Sequence, residues 1–171
     1  NSVVDSKQYL VNDHDSLQFF NARMSDDHPN YWAENFVYGF DPKFIMAITA
    51  KVNMVLHGDG SAHIFKDDAF RPFSKYGDPR LRSISDAHRS IKRSIYPYDM
   101  CETFDLVISN PPFGVTIASD VKTKLKSTFS LSESTPSEGL FIERCFQLLK
   151  PGGRLALVLP QSVFNSKDMS D

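Results

Sequence analysis

The stretch FDLVISNPPFG, residues 104–114, decides how this chain is interpreted. Its first half is mostly apolar and of strand length, which predicts a buried strand over Phe104–Ile108. Pro111 and Pro112 follow, and neither can donate a hydrogen bond to a neighbouring strand. The two prolines therefore end the strand and stiffen the turn behind it.

This stiff turn carries groups that suit the binding of an amine. The side-chain oxygen of Asn110 and the carbonyl oxygen of Pro111 are acceptors held in fixed directions, so together they could hold both hydrogens of an amino group. Phe113 adds a flat apolar face that can stack on a planar ring. A plain strand-ending turn is the alternative interpretation.

The residues before this motif predict a strand, a helix and a second strand. A β-branched and aromatic run, Phe36–Phe40, reads as a strand, and Pro42 suits the first position of a helix over Pro42–Leu56. Ala62–Phe65 reads as the next strand. Strand, helix and strand within about 30 residues are the length of a βαβ unit, which implies a parallel sheet. The apolar residues of the helix recur at helical spacing on one face: Phe44, Ile45, Ile48, Val52, Val55 and Leu56.

The residues after the motif extend the same α/β pattern. Residues 115–134 are rich in Ser, Thr and Lys and predict a loop. Thr135–Glu138 offers an N-cap, a proline at the first helical position and a glutamate at the third, which predicts a helix start. Pro151–Gly153 would end that helix before a strand over Arg154–Leu159. Ligands of such sheets bind beyond the carboxyl ends of the strands, so the residues that end each strand become the candidates for a site.

Composition narrows the class of protein. The chain has 171 residues, a formal net charge of -2, 41% hydrophobic and 23% charged residues, as expected of one soluble globular domain. No apolar run approaches the roughly 20 residues of a membrane span. Two cysteines indicate a reducing, cytoplasmic compartment, and the five histidines show no metal-ligand spacing, so we assign no metal site.

Several segments together resemble one enzyme family. Asn110-Pro111-Pro112-Phe113 after a strand is similar to the catalytic motif of DNA methyltransferases that act on amino groups. The segments at 39–58, 68–70 and 148–160 are similar to parts of type I modification subunits and related adenine methylases. The resemblance implies a Rossmann-like, class I S-adenosylmethionine-dependent methyltransferase fold with a mostly parallel sheet.

The resemblance also implies roles for single residues. Asp41 would bind the ribose hydroxyls of S-adenosyl-L-methionine, and Asp68 would hold the adenine amino group of that cofactor, with Phe70 nearby. For Asp41 the structural alternative is a helix cap beside Pro42, and for Asp68 it is a solvated turn. The catalytic set would be Asn110, Pro111, Pro112 and Phe113.

The implied reaction is methyl transfer to the N6 amino group of an adenine flipped out of double-stranded DNA. Cytosine-N4 enzymes usually favour serine at the first position of the motif, so Asn110 favours adenine. The family setting implies a restriction-modification system, with specificity and restriction subunits or domains as partners. A fused restriction-methylation enzyme is the other form that this resemblance allows.

One departure from the family pattern shapes the expected domain organisation. Nothing in residues 1–35 resembles the Gly-rich loop that follows the first strand of these enzymes. We therefore expect an internal piece of a larger enzyme, inactive alone, whose sheet lacks a central strand. The edges that this loss exposes would stay as a gap, pair with a substitute strand from residues 1–12, or pair with another chain. The expected parts are a partly ordered segment 1–35, a partial catalytic domain 36–164 and a tail 165–171.

Basic residues lie mainly in a predicted insertion at 71–99 within this domain. These side chains could contact a phosphate backbone, although a solvated insertion explains them more simply. Three further lysines, Lys122, Lys124 and Lys126, fall in the predicted loop after the motif, where flanking DNA could pass. The basic residues of the insertion are Arg71, Lys75, Arg80, Arg82, Arg89, Lys92 and Arg93.

Two other functions stay open at this point. The same motif occurs in RNA-base and protein-glutamine methyltransferases. The absent Gly-rich loop is also compatible with a catalytically inactive, methyltransferase-like module that binds DNA or a partner subunit.

Overall fold

The computed structural model describes residues 31–58, 63–78, 81, 96, 98, 100–133 and 137–165. The chain divides into two compact units, Asn1–Ala69 and Phe70–Asp171, and each is described by itself. Among the helices of the described ranges, none has both the length and the apolar character of a bilayer-crossing segment.

The first unit contains the predicted βαβ arrangement. Strand β1 runs parallel to β2, and Gly39 stands opposite Ile64 while Asp41 stands opposite Lys66. Stacked rings support the pair, since the ring centroids of Phe40 and Phe65 lie 5.5 Å apart. The elements in chain order are α1 (Tyr31–Phe36), β1 (Gly39–Asp41), α2 (Phe44–Leu56) and β2 (Ile64–Lys66).

The start of this unit differs from the sequence-based prediction. Phe36 was expected to open the first strand, but it closes helix α1, whose turn continues into a bond from the Val37 N–H to the Ala33 carbonyl at 3.4 Å. Only Gly39–Asp41 finds a partner strand, so the aromatic β-propensity of the earlier residues is overridden. Helix α2 likewise begins at Phe44, with Lys43 rather than Asp41 at its N-cap.

Helix α2 is confirmed, but its apolar stripe is not buried in this unit. Ala47 is its one buried residue, at 2% exposure. The large apolar side chains of the predicted stripe are exposed, including Phe44, Ile45, Ile48, Val52, Val55 and Leu56.

The second unit is built around another parallel pair of strands. Strands β3 and β4 are parallel, as predicted, and helix α4 connects into β4 directly. Short 3-10 turns lie at Phe73–Lys75 and Gln161–Asn165. The longer elements are β3 (Phe104–Ser109), α3 (Ser119–Leu125), α4 (Glu138–Leu148) and β4 (Leu149–Leu157).

The described strands form two separate two-stranded sheets, β1 with β2 and β3 with β4. Among the described strands, β1 pairs with β2 alone and β3 with β4 alone; whether residues 1–12 supply a substitute strand stays a prediction, since they lie outside the described residues. Strand β3 was expected to be buried, yet Ile108 is 72% exposed. A sheet of two strands has too little cover to bury both faces.

Two predicted boundaries in this unit are wrong. The supposed loop 115–134 contains helix α3, in which Asp120 lies in the first turn and Lys124 in the last, as the helix dipole favours. Leu125 anchors this helix in a cluster with Phe129 and Leu140. Helix α4 ends at Leu148 rather than at the Pro-Gly-Gly segment.

The Pro-Gly-Gly segment lies inside β4 as an irregularity of the ladder. Phe104 stands opposite Leu149 and Leu106 opposite Arg154, so Lys150–Gly153 faces Asp105 alone. The strand begins at Leu149 because that residue already pairs with β3. Gly152 has a φ of +80°, a conformation that glycine adopts without the strain imposed by a Cβ.

Candidate active site

The motif at 110–113 lies at the carboxyl edge of the β3–β4 sheet. Ser109 ends β3 opposite Leu157, and its carbonyl accepts a hydrogen bond from the Val158 N–H at 3.1 Å. Asn110 follows immediately and is exposed. Its side-chain amide makes no hydrogen bond to any described residue, so both its oxygen and its NH₂ group are available to a ligand.

The rest of the motif divides between anchoring and exposure. Pro111 is buried and Pro112 is exposed, so the first proline fastens the turn to the unit. Phe113 is 49% exposed, and no ring of the described ranges packs against it. The ring is thus accessible enough to contact a ligand, and an accessible aromatic ring can stack on a planar group.

Helix α4 holds the end of this turn. The Gly114 N–H donates to Oε1 of Glu138 at 2.7 Å, and the Ser137 N–H donates to the Val115 carbonyl at 3.1 Å. Gly114 has a φ of +65°, which glycine tolerates best. The turn after β3 is thus tied to the start of α4 at two successive residues.

The sequence predicted Thr135 as the N-cap and Glu138 at the third helical position, but the helix begins at Glu138. The N-cap is Ser137, whose side chain makes no capping hydrogen bond, while Thr135 lies outside the described residues. The Glu138 side chain turns instead to Gly114. The reason is tertiary, because the turn after the two prolines brings an unpaired N–H within reach of the carboxylate.

In the first unit, Asp41 lies at the carboxyl end of β1. Its Oδ1 accepts a hydrogen bond from the Lys43 N–H at 2.7 Å. This is a local bond in the turn before α2, not the N-cap role considered from the sequence, because the N-cap is Lys43. Oδ2 makes no hydrogen bond within the described part of the chain. The carboxylate is therefore half engaged, and one oxygen remains for a ligand.

The residues after β2 lie at the same edge. The Asp67 N–H donates to the Asp41 carbonyl at 3.2 Å, and the Asp68 N–H donates to Oδ1 of Asp67 at 2.8 Å. Asp68 itself is exposed. Two of the three residues predicted to bind cofactor, Asp41 and Asp68, thus share one sheet edge.

Phe70, the third of these residues, belongs to the second unit. Its ring centroid lies 4.5 Å from that of Phe141 and 5.5 Å from that of Phe129, edge-on to the latter. The side chain packs against the cluster that Leu125 and Leu140 complete. A packing role for Phe70 is therefore visible, and its contact with a cofactor stays a prediction.

The lysines expected beside the motif are engaged within the unit. Lys126 forms an ion pair with Glu133 at 2.6 Å, and Lys122 donates to the Glu133 carbonyl at 3.1 Å. The Lys126 ammonium beside it lowers the pKa of the Glu133 carboxyl. Of the basic insertion, only Arg71 and Lys75 lie within the described residues.

Sequence reasoning missed one residue at this site, namely Glu138 as a partner of the turn. An acidic residue at the start of the helix that follows a Pro-Pro turn was the available signal. Nothing local distinguishes such an acid from an ordinary capping residue, because the two partners lie 24 positions apart.

A comparison with known families identifies the family of the chain. A family model described as Eco57I restriction-modification methylase matches residues 35–171. The match includes the βαβ unit formed by β1, α2 and β2, the motif at 110–113 and both strands of the second sheet. The chain therefore belongs to the Eco57I restriction-modification methylase family, a family of DNA methyltransferases.

Proposed function

We propose that this chain supplies the catalytic turn and part of the cofactor site of an S-adenosyl-L-methionine-dependent DNA methyltransferase specific for the N6 amino group of adenine. The observation that carries the proposal is Asn110: an exposed amide at the carboxyl edge of a parallel sheet, followed by two prolines and a half-exposed Phe113. This arrangement suits an exocyclic amine better than a hydroxyl or a thiol, because it offers two acceptors to two hydrogens.

Methyl transfer to an amine depends mainly on the orientation of the nitrogen towards the methyl group. S-adenosyl-L-methionine would supply an electrophilic methyl group, leaving a thioether as the bond to the amine nitrogen forms, and the nitrogen would then release one proton to water. The Asn110 side-chain oxygen and the Pro111 carbonyl would accept the two amine hydrogens and direct the nitrogen lone pair towards the methyl. Positioning of this kind can supply several kcal/mol, with about 7 to 11 kcal/mol as the upper range for well-aligned reactions.

The target base must leave the DNA stack before it can reach this edge. Flipping costs a few kcal/mol, and stacking on the open face of Phe113 would recover about 1 to 3 kcal/mol. Double-stranded DNA is accordingly the proposed substrate, and specificity and restriction subunits or domains are the proposed partners.

The proposed cofactor site rests on Asp41 and Asp68. A free carboxylate oxygen at the end of β1 fits the hydroxyl donors of a ribose, as acids at strand ends do in dinucleotide-binding folds. Asp68, exposed at the same edge, would accept from the adenine amino group of the cofactor. Phe70, two residues after Asp68 in the sequence, would contribute an apolar side chain to the cofactor site.

The test is methyl transfer by the full-length protein. Isotope-labelled S-adenosyl-L-methionine is incubated with DNA from a host that lacks adenine methylation, and the DNA is digested to nucleosides. We expect label in N6-methyladenine, and a fall of about 100-fold or more in rate for Asn110→Ala. Asn53→Ala, an exposed asparagine on α2, serves as the matched control.

Other outcomes assign other functions. In parallel reactions that offer RNA or a glutamine-containing protein, label in either substrate but not in DNA would replace adenine as the acceptor, and label in N4-methylcytosine of the DNA would correct the base. DNA binding without transfer to any acceptor would support the inactive binding module and overturn the proposal.

A further inference from the structure

Glu138 is a buried carboxylate that contacts the catalytic turn without belonging to the motif. Glu138 is only 3% exposed, and its Oε1 accepts a hydrogen bond from the Gly114 N–H at 2.7 Å. Because prolines at 111 and 112 have no N–H, few backbone donors exist near the motif with which the protein can grip it. The Gly114 amide is one of them, and it follows Phe113 directly.

We propose that Glu138 is a positioning residue, whose carboxylate fixes the Gly114 backbone and thereby the direction in which Asn110 and Phe113 face the substrate. The inference rests on the proposed methyl transfer and adds to it a residue outside the motif. The second tie, from the Ser137 N–H to Val115, fixes the next residue of the turn and limits its freedom to swing.

The hydrogen bonding of Glu138 is poorly suited to stability alone. Its Oε2 is buried and has no hydrogen-bond partner among the described residues. A buried carboxylate with a single hydrogen bond recovers little of its desolvation cost. A fixed catalytic turn is a reason for such a residue to be there, because a small displacement of reacting groups can cost about 100-fold in rate.

Two variants separate positioning from simple stability. Glu138→Gln keeps an acceptor oxygen for Gly114, so kcat should stay within about threefold of the wild type. Glu138→Ala removes the acceptor, so kcat should fall by about 10- to 100-fold, while KM for S-adenosyl-L-methionine changes by less than about twofold. Glu133→Ala, which removes an exposed acid of the same unit, should leave both constants unchanged.

A second readout does not depend on activity. In the full-length protein, hydrogen exchange of the Gly114 amide should be slow in the wild type and in Glu138→Gln, and faster in Glu138→Ala. Slow exchange in all three proteins would overturn the inference, and so would a fully active Glu138→Ala. A folded Glu138→Gln protein as impaired as Glu138→Ala would do the same. If the wild type transfers no methyl, the proposed function fails, while the exchange experiment still tests the contact.

Discussion

The hydroxyl of Tyr96 donates a hydrogen bond to Oε1 of Glu143 at 2.6 Å, on the face of α4 that points into the second unit. The same carboxylate accepts from the Ser130 N–H at 2.6 Å, from the Ser130 hydroxyl at 2.8 Å and from the Leu131 N–H at 2.9 Å. Glu143 is thus a buried carboxylate that accepts four hydrogen bonds from neutral donors. It holds the segment that follows α3 against α4.

The first prediction concerns Glu143→Ala. The change leaves four donors without their acceptor, and since hydrogen bonds to charged groups contribute about 1.5–3 kcal/mol each, the free energy of unfolding should fall by at least about 2 kcal/mol. Denaturant unfolding of the two proteins measures this difference. Glu133→Ala removes an exposed acid nearby and should keep the free energy of unfolding of the wild type. An equal loss of stability in Glu143→Ala and Glu133→Ala would contradict the role of Glu143.

The second prediction concerns the irregularity of β4. A Cβ at Gly153 would lie 2.9 Å from Cδ2 of Leu149 and 3.0 Å from the Lys150 carbonyl oxygen, so Gly153→Ala should cost about 1–3 kcal/mol through overpacking. A Cβ at Gly152 meets nothing within 4 Å, but its φ of +80° should cost Gly152→Ala about 1–2 kcal/mol.

Gly77→Ala is the matched control, because a Cβ there also meets nothing within 4 Å and no left-handed φ is present. It should leave the thermal midpoint unchanged or raise it slightly. If Gly153→Ala unfolds at the same temperature as Gly77→Ala, then Lys150–Gly153 does not pack against β3 as described.

The third prediction concerns alkaline pH. Burial raises the pKa of the Cys145 thiol to about 11, and burial also raises the pKa of Cys101. A pKa raised in the folded state gives stability that is complete below the unfolded pKa of about 8.5 and is lost as pH rises towards 11. Each such thiol contributes a slope of up to about 1.4 kcal/mol per pH unit in that window.

Cys145→Ala removes one of these thiols. Denaturant unfolding at pH 8 and at pH 10.5 should therefore show a smaller loss of stability in the variant than in the wild type. Identical losses would show that Cys145 titrates in the folded protein as it does in the unfolded chain.

The parts of the fold that local chemistry dictates were predictable. The apolar run at Phe104–Ile108 was predicted to be a strand, and the prolines after Ser109 mark its end. Helix α4 was predicted in the right place, but its buried face includes Glu143, Arg144 and Gln147, while Phe146 is 62% exposed. Helix α3 was missed because its Ser, Thr and Lys residues carry no apolar stripe. A single buried side chain, Leu125, fastens it to the unit.

The candidate site divides in the same way. The position of Asn110 was predictable, because it directly follows a predicted strand and the carboxyl ends of parallel strands meet at one edge of the sheet. The bond from Gly114 to Glu138 does not, because it joins residues from separate elements whose approach depends on how the whole unit packs. Phe70 shows the converse case: a residue named for ligand binding whose visible contacts are with Phe129 and Phe141.

The last prediction separates the two roles of Asp41. Its Oδ1 accepts from the Lys43 N–H, and an asparagine can make the same bond with its side-chain oxygen. Asp41→Asn should therefore keep the free energy of unfolding of the wild type. Asp41→Ala loses the bond to Lys43, so its free energy of unfolding should fall by about 1 kcal/mol.

The affinity for S-adenosyl-L-methionine should rank the same variants differently from their stability. If the carboxylate binds the ribose hydroxyls, Asp41→Asn and Asp41→Ala should both weaken binding of S-adenosyl-L-methionine to the full-length protein by about 10-fold or more, since charge-assisted hydrogen bonds are the stronger ones. Asp120→Asn, an exposed acid in the first turn of α3, supplies the control in calorimetric titrations. Unchanged affinity in Asp41→Asn, together with lost stability in Asp41→Ala, would assign Asp41 to the start of α2 alone.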